Sequence, residues 1–400
     1  MKKIKLKNEL TVIYEERETN SVAIEVMVKA GSNNEKVDER GISHFLEHML
    51  FDGTTKRGTS KDIANEIEKL GGELNAYTSN ERTCFFVKLL SKHFDKGLEI
   101  LSDILQNPLF REEDIEREKK IVVKEIDMVN DGPRFYQWIL FEKNVFEKHP
   151  SRFPTYGEKK VILGLNQKKV LDYYRRYYVP SNMVVSIVGK APNWRKKIEG
   201  AFVFKEGKKV KVLSVVEGAA KKRKEVREKR KISNSYVVLG FRTVPRQHKD
   251  SYVLDAMGGI LGRGQSGWIF QEVREKKGLA YEVGTQHVSE KDYGYFAIYW
   301  STDKVKINEA KKSVLAQLKR LEKTSALDLA EAKTFVEGDY YLNIEDNLKY
   351  ADHLCFWEQM GNATGLWEYV NKVKKVTRAD IRRVVKKYFN NYCMAVVEGK

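Results

Sequence analysis

The sequence YYVPSNMVVSIVGK at residues 177–190 has a counterpart in YFNNYCMAVVEGK at residues 388–400. Each copy follows a helical stretch. Each contains a pair of aromatic residues, a polar turn, an apolar strand and a closing Gly-Lys. The two copies are about 210 residues apart, and internal similarity at a fixed spacing marks a repeated structural unit. In a chain of 400 residues, this internal repeat predicts two copies of one domain.

Earlier parts of the two halves correspond at a similar spacing. The alternating strand at residues 21–28 and the helix after Gly41 match a strand at 235–241 and a helix at 250–261. A second match pairs Asn75-Ala76-Tyr77 and the strand through Val87 with Leu279-Ala280-Tyr281 and the strand through Trp300. The similarity therefore extends through most of each half, and the protein is predicted to be a duplicated α+β unit.

The order of elements within the first half indicates how its layers are arranged. Period-2 patterns predict strands at 10–14, 21–28, 73–79 and 83–89, and helical patterns follow at 92–108 and 111–130. Early strands followed by grouped helices favour a mostly antiparallel sheet that helices cover largely on one face over a βαβ alternation. We expect a zinc-binding domain at 1–203, a linker at 204–232 and a C-terminal domain at 233–400.

Composition excludes several classes of protein. Hydrophobic residues make up 42% of the chain and charged residues 32%, the balance of a globular enzyme. No apolar run is long enough to cross a bilayer, and the basic N-terminus is not followed by a signal-like apolar stretch, so we expect a cytoplasmic protein without a membrane partner. The three cysteines have no CxxC spacing, which argues against disulfides and against a thiolate zinc site. Any metal is expected to use His and carboxylate ligands.

The net charge of +17 is partly concentrated in one segment. The sequence KKRKEVREKRK at residues 221–231 contains eight basic and two acidic residues. A solvated linker or exposed strand is the favoured interpretation, with a nucleic-acid patch or a site for an acidic partner as alternatives. Because the run lacks interleaved aromatic residues and any known reader motif, we expect no nucleic-acid partner.

The chemistry is concentrated in His44-Phe45-Leu46-Glu47-His48, on the helix after Gly41. At 100° per residue, both imidazoles and the carboxylate fall on one face of that helix. Two imidazoles one turn apart can bind one Zn²⁺, while the neighbouring carboxylate can accept a proton from water and pass it to a leaving amine. The alternative is a pair of core-facing histidines with a salt-bridged Glu, which would leave three polar groups to be desolvated without a metal.

This His-x-x-Glu-His pattern and the residues around it resemble the M16 (pitrilysin/insulinase) zinc metallopeptidases, specifically the short two-domain members such as bacterial and mitochondrial processing peptidases. The resemblance covers nearly the whole chain, duplication included. It implies zinc as cofactor, held by His44, His48 and a later glutamate, with Glu47 as general base. The matching positions are Gly31-Ser32, Glu35, Gly41, His44, Glu47, His48, Phe51, Gly53-Thr54, Asn75-Ala76 and Thr83.

The third ligand is implied by the family's E-x₆-E pattern, which falls on Glu118 and Glu125. Seven residues are two helical turns, so both carboxylates share a face. Spacing alone does not choose among the many acids of this segment, and both can belong to a solvated face. By resemblance, Glu125 is the ligand and Glu118 orients a ligand from behind.

The second half lacks the His-x-x-Glu-His motif, but it contains Arg274 and Tyr281 in a segment that resembles the Arg/Tyr element of active family members. A phenol can donate to an oxyanion and a guanidinium can hold a peptide carbonyl. The alternatives are a solvated Arg and a core Tyr. By resemblance, the pair acts across the interface of a homodimer with composite active sites.

The expected substrates are extended or unstructured peptides, and Asn75 and Ala76 match the family's substrate-binding edge. The sequence thus predicts a zinc-dependent metalloendopeptidase that works in a dimeric chamber. The alternatives are a non-catalytic core or scaffold subunit and one half of a heterodimeric processing peptidase. A formal GxGxxG at 262–267 follows a helical pattern instead of a strand, so it predicts a turn and not a dinucleotide site.

Overall fold

The computed structural model describes residues 1–204, 207, 210 and 214–400. The remaining residues, 205, 206, 208, 209 and 211–213, belong to the predicted linker, which therefore lies partly outside the described residues. By its contacts the chain forms two compact units. The first comprises Met1–Asp127, Pro154–Leu213 and Asn343–Leu366, and the second Met128–Phe153, Ser214–Leu342 and Trp367–Lys400.

The first unit is built on a mostly antiparallel sheet in the order β1-β2-β6-β3-β5-β4. Only β2 and β6 run parallel among its paired strands. The strands are β1 (Lys2–Lys5), β2 (Thr11–Glu15), β3 (Ser21–Val28), β4 (Glu73–Thr78), β5 (Thr83–Leu90) and β6 (Met183–Gly189). Its helices are α1 (Ile42–Leu50), α2 (Ser60–Glu68), α3 (Phe94–Gln106), α4 (Glu112–Asp131), α6 (Lys159–Leu163), α7 (Gln167–Tyr177), α8 (Trp194–Ala201) and α12 (Asn347–Gln359).

The second unit has a sheet of the same design, in the order β7-β11-β8-β10-β9, with only β7 and β11 parallel among its paired strands. The strands are β7 (Lys224–Lys229), β8 (Ser235–Arg242), β9 (Glu282–Ser289), β10 (Gly294–Thr302) and β11 (Cys393–Glu398). Its helices are α5 (Pro133–Val145), α9 (Lys249–Gly262), α10 (Ile307–Arg320), α11 (Ala326–Asn343), α13 (Gly365–Lys374), α14 (Arg378–Tyr388) and a π-helix (Phe270–Lys276).

The predicted fold class is confirmed, because the five strands of the second sheet repeat the order and directions of β2, β6, β3, β5 and β4. In this correspondence, β7 is the counterpart of β2. This strand lies inside the basic run at 221–231, where its side chains alternate between exposed and half-buried positions at the sheet edge. The formal GxGxxG contains a 3₁₀ turn, Gly264–Ser266, between α9 and the π-helix.

The expectation that helices cover the first sheet largely on one face is wrong, because helices pack on both faces. This explains why β3 is buried over seven of its eight residues. On one face, α12 packs against β3 and β6, and on the other, α1 and α3 pack against β5. Side chains of a strand alternate between faces, so Glu25 and Cys84 point towards α12 while Val87 and Leu89 contact Gly97 of α3. None of the described helices combines the length and apolar character that a bilayer span requires.

Candidate active site and metal centre

Helix α1 begins at a position that only glycine occupies without strain. Gly41 has φ of 93°, and a Cβ atom there would lie 2.5 Å from the carbonyl oxygen of Tyr156. No side chain of the helix caps the first turn; instead the Glu35 carboxylate accepts from the backbone N–H groups of Gly41 (2.7 Å) and Ser43 (2.9 Å). A fixed start sets the rotation of the helix and therefore the direction of its functional face.

The rotation of α1 directs its apolar side chains into the core and its histidine and glutamate side chains outwards. Phe45, Leu46 and Met49 are buried, whereas His44, Glu47 and His48 are only partly covered. This division follows from the 3.6-residue period of the helix. The motif residues therefore share the open side of α1, as their spacing indicates.

The structure brings His44, His48 and Glu125 together. One ligand atom from each lies within 4.8 Å of the others. Both ring Nε2 atoms are 3.7 Å from an oxygen of Glu125, Oε1 for His44 and Oε2 for His48. Two ligand atoms of a tetrahedral zinc site, each about 2.0–2.1 Å from the ion, are separated by about 3.3 Å. The three side chains are thus spaced as ligands of one ion need to be.

Glu118 lies behind this group on the same helix, α4, as Glu125. Its side chain is almost buried, and Oε2 is 3.2 Å from Nδ1 of His48. Since a carboxylate only accepts hydrogen bonds, the imidazole proton belongs on Nδ1, which leaves Nε2 with a free lone pair. Glu118 therefore fixes both the orientation and the tautomer of His48.

Glu47 is held at the same place by a strand of the sheet. The hydroxyl of Thr78, on β4, donates to Glu47 Oε2 at 2.5 Å. Burial raises the pKa of Glu47, and the Thr78 hydrogen bond opposes that rise. A carboxylate with one oxygen tied to a hydroxyl keeps the other oxygen for a further partner.

The two histidines differ in their electrostatics. Burial lowers the pKa of His44 to about 4, and the neighbouring His48 lowers it as well. Burial also lowers the pKa of His48, but the hydrogen bond to Glu118 and the carboxylates of Glu47 and Glu125 outweigh that effect, so the net shift is upwards. Acidic groups thus surround a pair of imidazoles, an arrangement that favours a bound cation.

The donor set fits zinc. Two imidazole nitrogens and one carboxylate oxygen are a known ligand combination of catalytic zinc sites, which keep a fourth position open. Nδ1 of His44 is buried without a hydrogen-bond partner among the described residues, in contrast to Nδ1 of His48, which is held by Glu118. Its Nε2 is the atom that approaches Glu125.

Asn75 and Ala76 lie on β4, which ends the order of the first sheet and pairs with β5. The amide N–H of Ala76 donates to the side-chain oxygen of Asn75 at 2.8 Å instead of to β5. The same strand carries Thr78 to Glu47. The outer edge of β4 is therefore next to the candidate active site.

Arg274 and Tyr281 belong to the second unit. Arg274 is part of the π-helix, with its guanidinium 4.8 Å from the centre of the Phe270 ring. The hydroxyl of Tyr281 donates to Asp303 at 2.9 Å, and the residue is 54% exposed. Both side chains are exposed to solvent.

Sequence reasoning missed two residues that position the site. Thr78 follows Ala76 by two residues on a strand, so the two share a face, and this spacing is a signal that was available. Glu35 was recognised only as a matching position, because nothing in the sequence shows that its carboxylate caps a helix six residues later. Burial raises the pKa of Glu35 to about 7, although its hydrogen bonds lower it.

Comparisons with known proteins agree over nearly the whole chain. The family model described as insulinase (peptidase family M16) matches residues 11–151, and that of the peptidase M16 inactive domain matches residues 164–335. A Bacillus subtilis protein named uncharacterized zinc protease YmxG is 30% identical, covering 99% of this chain and 98% of that protein. The Helicobacter pylori zinc protease PqqE is 26% identical, covering 97% and 90%.

Solved structures share the fold. A crystal structure of a protease from Helicobacter pylori superposes with a TM-score of 0.94 at 23% identity and covers 99% of both chains. A peptidase M16 inactive domain from Pseudomonas fluorescens has a TM-score of 0.89 at 17% identity, covering 100% of this chain and 98% of that one. On the combined match of sequence, length and domain order, the chain belongs to the M16 (insulinase) family of peptidases.

Proposed function

We propose that the protein is a zinc-dependent metalloendopeptidase that hydrolyses extended or unstructured peptides. The observation that carries the proposal is the grouping of His44, His48 and Glu125 with Glu47 beside them. It supplies a metal-ligand set and a proton acceptor at one place on α1 and α4. The names of the relatives as zinc proteases support the same reaction.

His44, His48 and Glu125 would hold the zinc ion, with Glu118 orienting His48. When bound, zinc supplies Lewis-acid chemistry that polarises the scissile carbonyl and makes water easier to deprotonate. Glu47 accepts the proton of the attacking water and delivers it to the leaving amine. Thr78 holds the Glu47 carboxylate in the orientation that this proton transfer needs.

The peptide substrate binds to β4 as an added strand in this proposal. The outward amide of Ala76 and the side chain of Asn75 are on the edge that the substrate backbone would pair with. Main-chain hydrogen bonds give affinity for extended peptides without demanding one sequence. Because a folded substrate has no free strand to offer, this mode of binding favours unstructured peptides.

Arg274 and Tyr281 serve the active site of a partner subunit in a homodimer. The guanidinium positions a peptide carbonyl, and the phenol donates a hydrogen bond to the oxyanion. A phenol has a single proton, so the Tyr281 hydroxyl must leave Asp303 to do this. The Asp303 contact keeps the ring in place before the substrate arrives.

The test of peptidase activity compares wild type with Glu47→Gln on a mixed library of unstructured peptides, read by mass spectrometry. We expect wild type to cut and the variant to lose at least about a thousandfold in rate, because the proton acceptor is missing. Zinc content is measured on both, and the variant should retain it since its three ligands remain. Glu68→Gln, on the exposed side of α2, is the matched control and should cut like wild type.

Two results would contradict the proposal. If wild type holds zinc but neither protein cuts, the chain is a non-catalytic subunit or needs a different partner. If no zinc binds even after reconstitution, the assignment of the ligands is wrong.

A mixing experiment tests the composite site. Glu47→Gln and Tyr281→Phe chains are each expected to be nearly inactive alone. After mixed reassembly, half of the dimers contain one chain of each kind, and one of their two sites has wild-type Glu47 and wild-type Tyr281, so about one quarter of wild-type activity should return. If both residues act within one chain, mixing restores nothing.

A further inference from the structure

A second group of metal-binding side chains lies within the first unit, on the face of the sheet opposite to α1. Glu25 of β3 and Cys84 of β5 point towards α12, and Asp352 of α12 meets them there. One ligand atom from each residue lies within 4.8 Å of the others, the same spacing that groups His44, His48 and Glu125. The three come from parts of the sequence that are far apart.

The most unusual member is Glu25, in the middle of the central strand. Its exposure is 0%, as is that of Cys84. Neither oxygen of its carboxylate has a hydrogen-bond partner that meets normal geometry among the described residues. Leaving a buried carboxylate without donors is costly, so such a group either keeps its proton or binds a cation.

A separate observation points in the same direction. Ser186 lies directly opposite Glu25 on β6, with 0% exposure. Its hydroxyl is also buried, and it has no hydrogen-bond partner in the part of the chain that the structure describes. Directly paired residues of neighbouring strands place their side chains on one face, about 5 Å apart. A water that completes the coordination of an ion at Glu25 would find its hydrogen-bond partner in this hydroxyl.

The surroundings of the cluster are arranged as in a metal site. The hydroxyl of Tyr77 donates to Oδ1 of Asp352, which fixes that carboxylate from behind. Asp352 is only half-buried, whereas Glu25 and Cys84 are fully enclosed. An ion can therefore reach the site from the side of α12.

Charge balance favours a divalent cation. Burial raises the pKa of Glu25 and of Cys84, and the charge of Asp352 raises both further, while the Arg82 guanidinium lowers them. Two carboxylates, one thiolate, one guanidinium and one divalent ion sum to zero charge. A buried site of zero net charge avoids the cost of an uncompensated charge.

We propose that Glu25, Cys84 and Asp352 form a second, structural metal site for a thiophilic divalent cation such as Zn²⁺. A thiolate with carboxylates is a ligand set that zinc accepts. The ion would fix α12 to the first sheet by linking residues of β3, β5 and α12. This site has one thiolate from a distant segment, so the absence of a CxxC spacing does not exclude it.

The experiment measures metal stoichiometry on the full chain after zinc reconstitution and dialysis. Wild type is expected to retain two equivalents. The double variant His44→Ala/His48→Ala should retain one, held by the cluster, and Cys84→Ser should also retain one, held by the histidines. Cys393→Ser, a buried free cysteine of the second unit, is the matched control and should retain two.

The absorption spectrum of bound Co²⁺ tests for the thiolate ligand without relying on metal stoichiometry. Co²⁺ bound to the double histidine variant should show the near-ultraviolet charge-transfer band of a thiolate ligand, and Cys84→Ser introduced into that variant should abolish it. Retention of one equivalent by Cys84→Ser also shows that this variant is folded.

Two outcomes would overturn the second site. No equivalent in the double histidine variant would show that Glu25, Cys84 and Asp352 hold no ion, and two equivalents in Cys84→Ser would show that Cys84 is not a ligand. Because these measurements do not use peptide cleavage, the second site and the peptidase activity can fail independently of each other.

Discussion

At the scale of single residues, the candidate site depends on side chains that hold other side chains. Glu118 determines which nitrogen of His48 is free, and Thr78 determines which oxygen of Glu47 is free. Such supporting contacts commonly affect metal sites by an order of magnitude or more. Such contacts leave no recognisable pattern in the sequence, because the fold decides how far apart along the chain the two contacting residues lie.

Replacing Thr78 with Val tests the support of Glu47. The two side chains have nearly the same shape, so the change removes the 2.5 Å hydrogen bond and little else. We expect kcat/KM for peptide hydrolysis to fall about tenfold, equivalent to about 1.4 kcal/mol, with zinc content unchanged.

Thr78→Ser keeps the hydroxyl and is the control; it should stay close to wild type. Equal kinetics for the Val and Ser variants would show that the contact does not contribute to catalysis, and loss of zinc from Thr78→Val would assign it a structural role.

At the scale of elements, most bounds could be predicted where the periodicity was strong. The strand at 21–28 is predicted and observed with the same ends, because its residues are almost all apolar. The helix predicted at 92–108 is observed at Phe94–Gln106, since Ser91–His93 forms a separate 3₁₀ turn. Strand β7 was not distinguished from linker, because a sheet-edge strand with one apolar residue has no strand-like pattern.

A substitution in the edge strand β4 tests whether the substrate binds there. Ala76→Pro removes an amide that donates to Asn75 and not to β5, so the pairing of β4 with β5 should survive. We expect kcat/KM for unstructured peptides to fall at least about tenfold, because the substrate backbone loses a partner on the edge.

Zinc content should stay at the wild-type value in this variant. Ala76→Ser keeps the amide and serves as the control. Unchanged kinetics for Ala76→Pro would exclude this edge as the place where the substrate binds.

At the scale of the whole molecule, each of the two units contains one helix from the opposite half of the chain. Helix α5 comes from the N-terminal half of the chain but belongs to the second unit, and α12 comes from the C-terminal half but belongs to the first. Phe141 and Val145 of α5 are part of the second core with Tyr295 and Ala297 of β10. An amphipathic pattern shows that one face of a helix is buried, but it does not show against which sheet the helix packs.

The stability of the fold at low pH should depend on the ion pairs of Arg57, whose side chain is nearly buried. Its guanidinium donates to Asp103, Glu66 and Glu99, and Lys96 also pairs with Glu66. The hydrogen bonds from Arg57 and then Lys96 lower the pKa of Glu66 from 4.5 to about 2. A carboxyl group whose pKa is lower in the folded state stabilises the fold above its unfolded pKa, and this is lost as pH falls from about 5 to about 2.

Glu66→Gln should therefore lower the free energy of unfolding by about 1–2 kcal/mol at pH 7, after allowing for solvent screening, and by less than half of that at pH 3. Urea unfolding of wild type and variant at both pH values measures the difference. Glu68→Gln on the same helix should differ little from wild type at either pH. A difference for Glu66→Gln that is the same at both values would assign the effect to packing and not to charge.

The sequence by itself determined the duplicated α+β architecture, the family resemblance and the grouping of His44, Glu47 and His48, because repeats, periodicity and helical spacing are local properties of the chain. Only the tertiary structure decided that Thr78 supports Glu47, that Glu35 caps α1 and that Glu25 meets Cys84 and Asp352. Each of these contacts joins segments whose separation along the chain carries no periodic signal. Packing of the sheet and its helices brings them together, and that packing is a property of the whole fold.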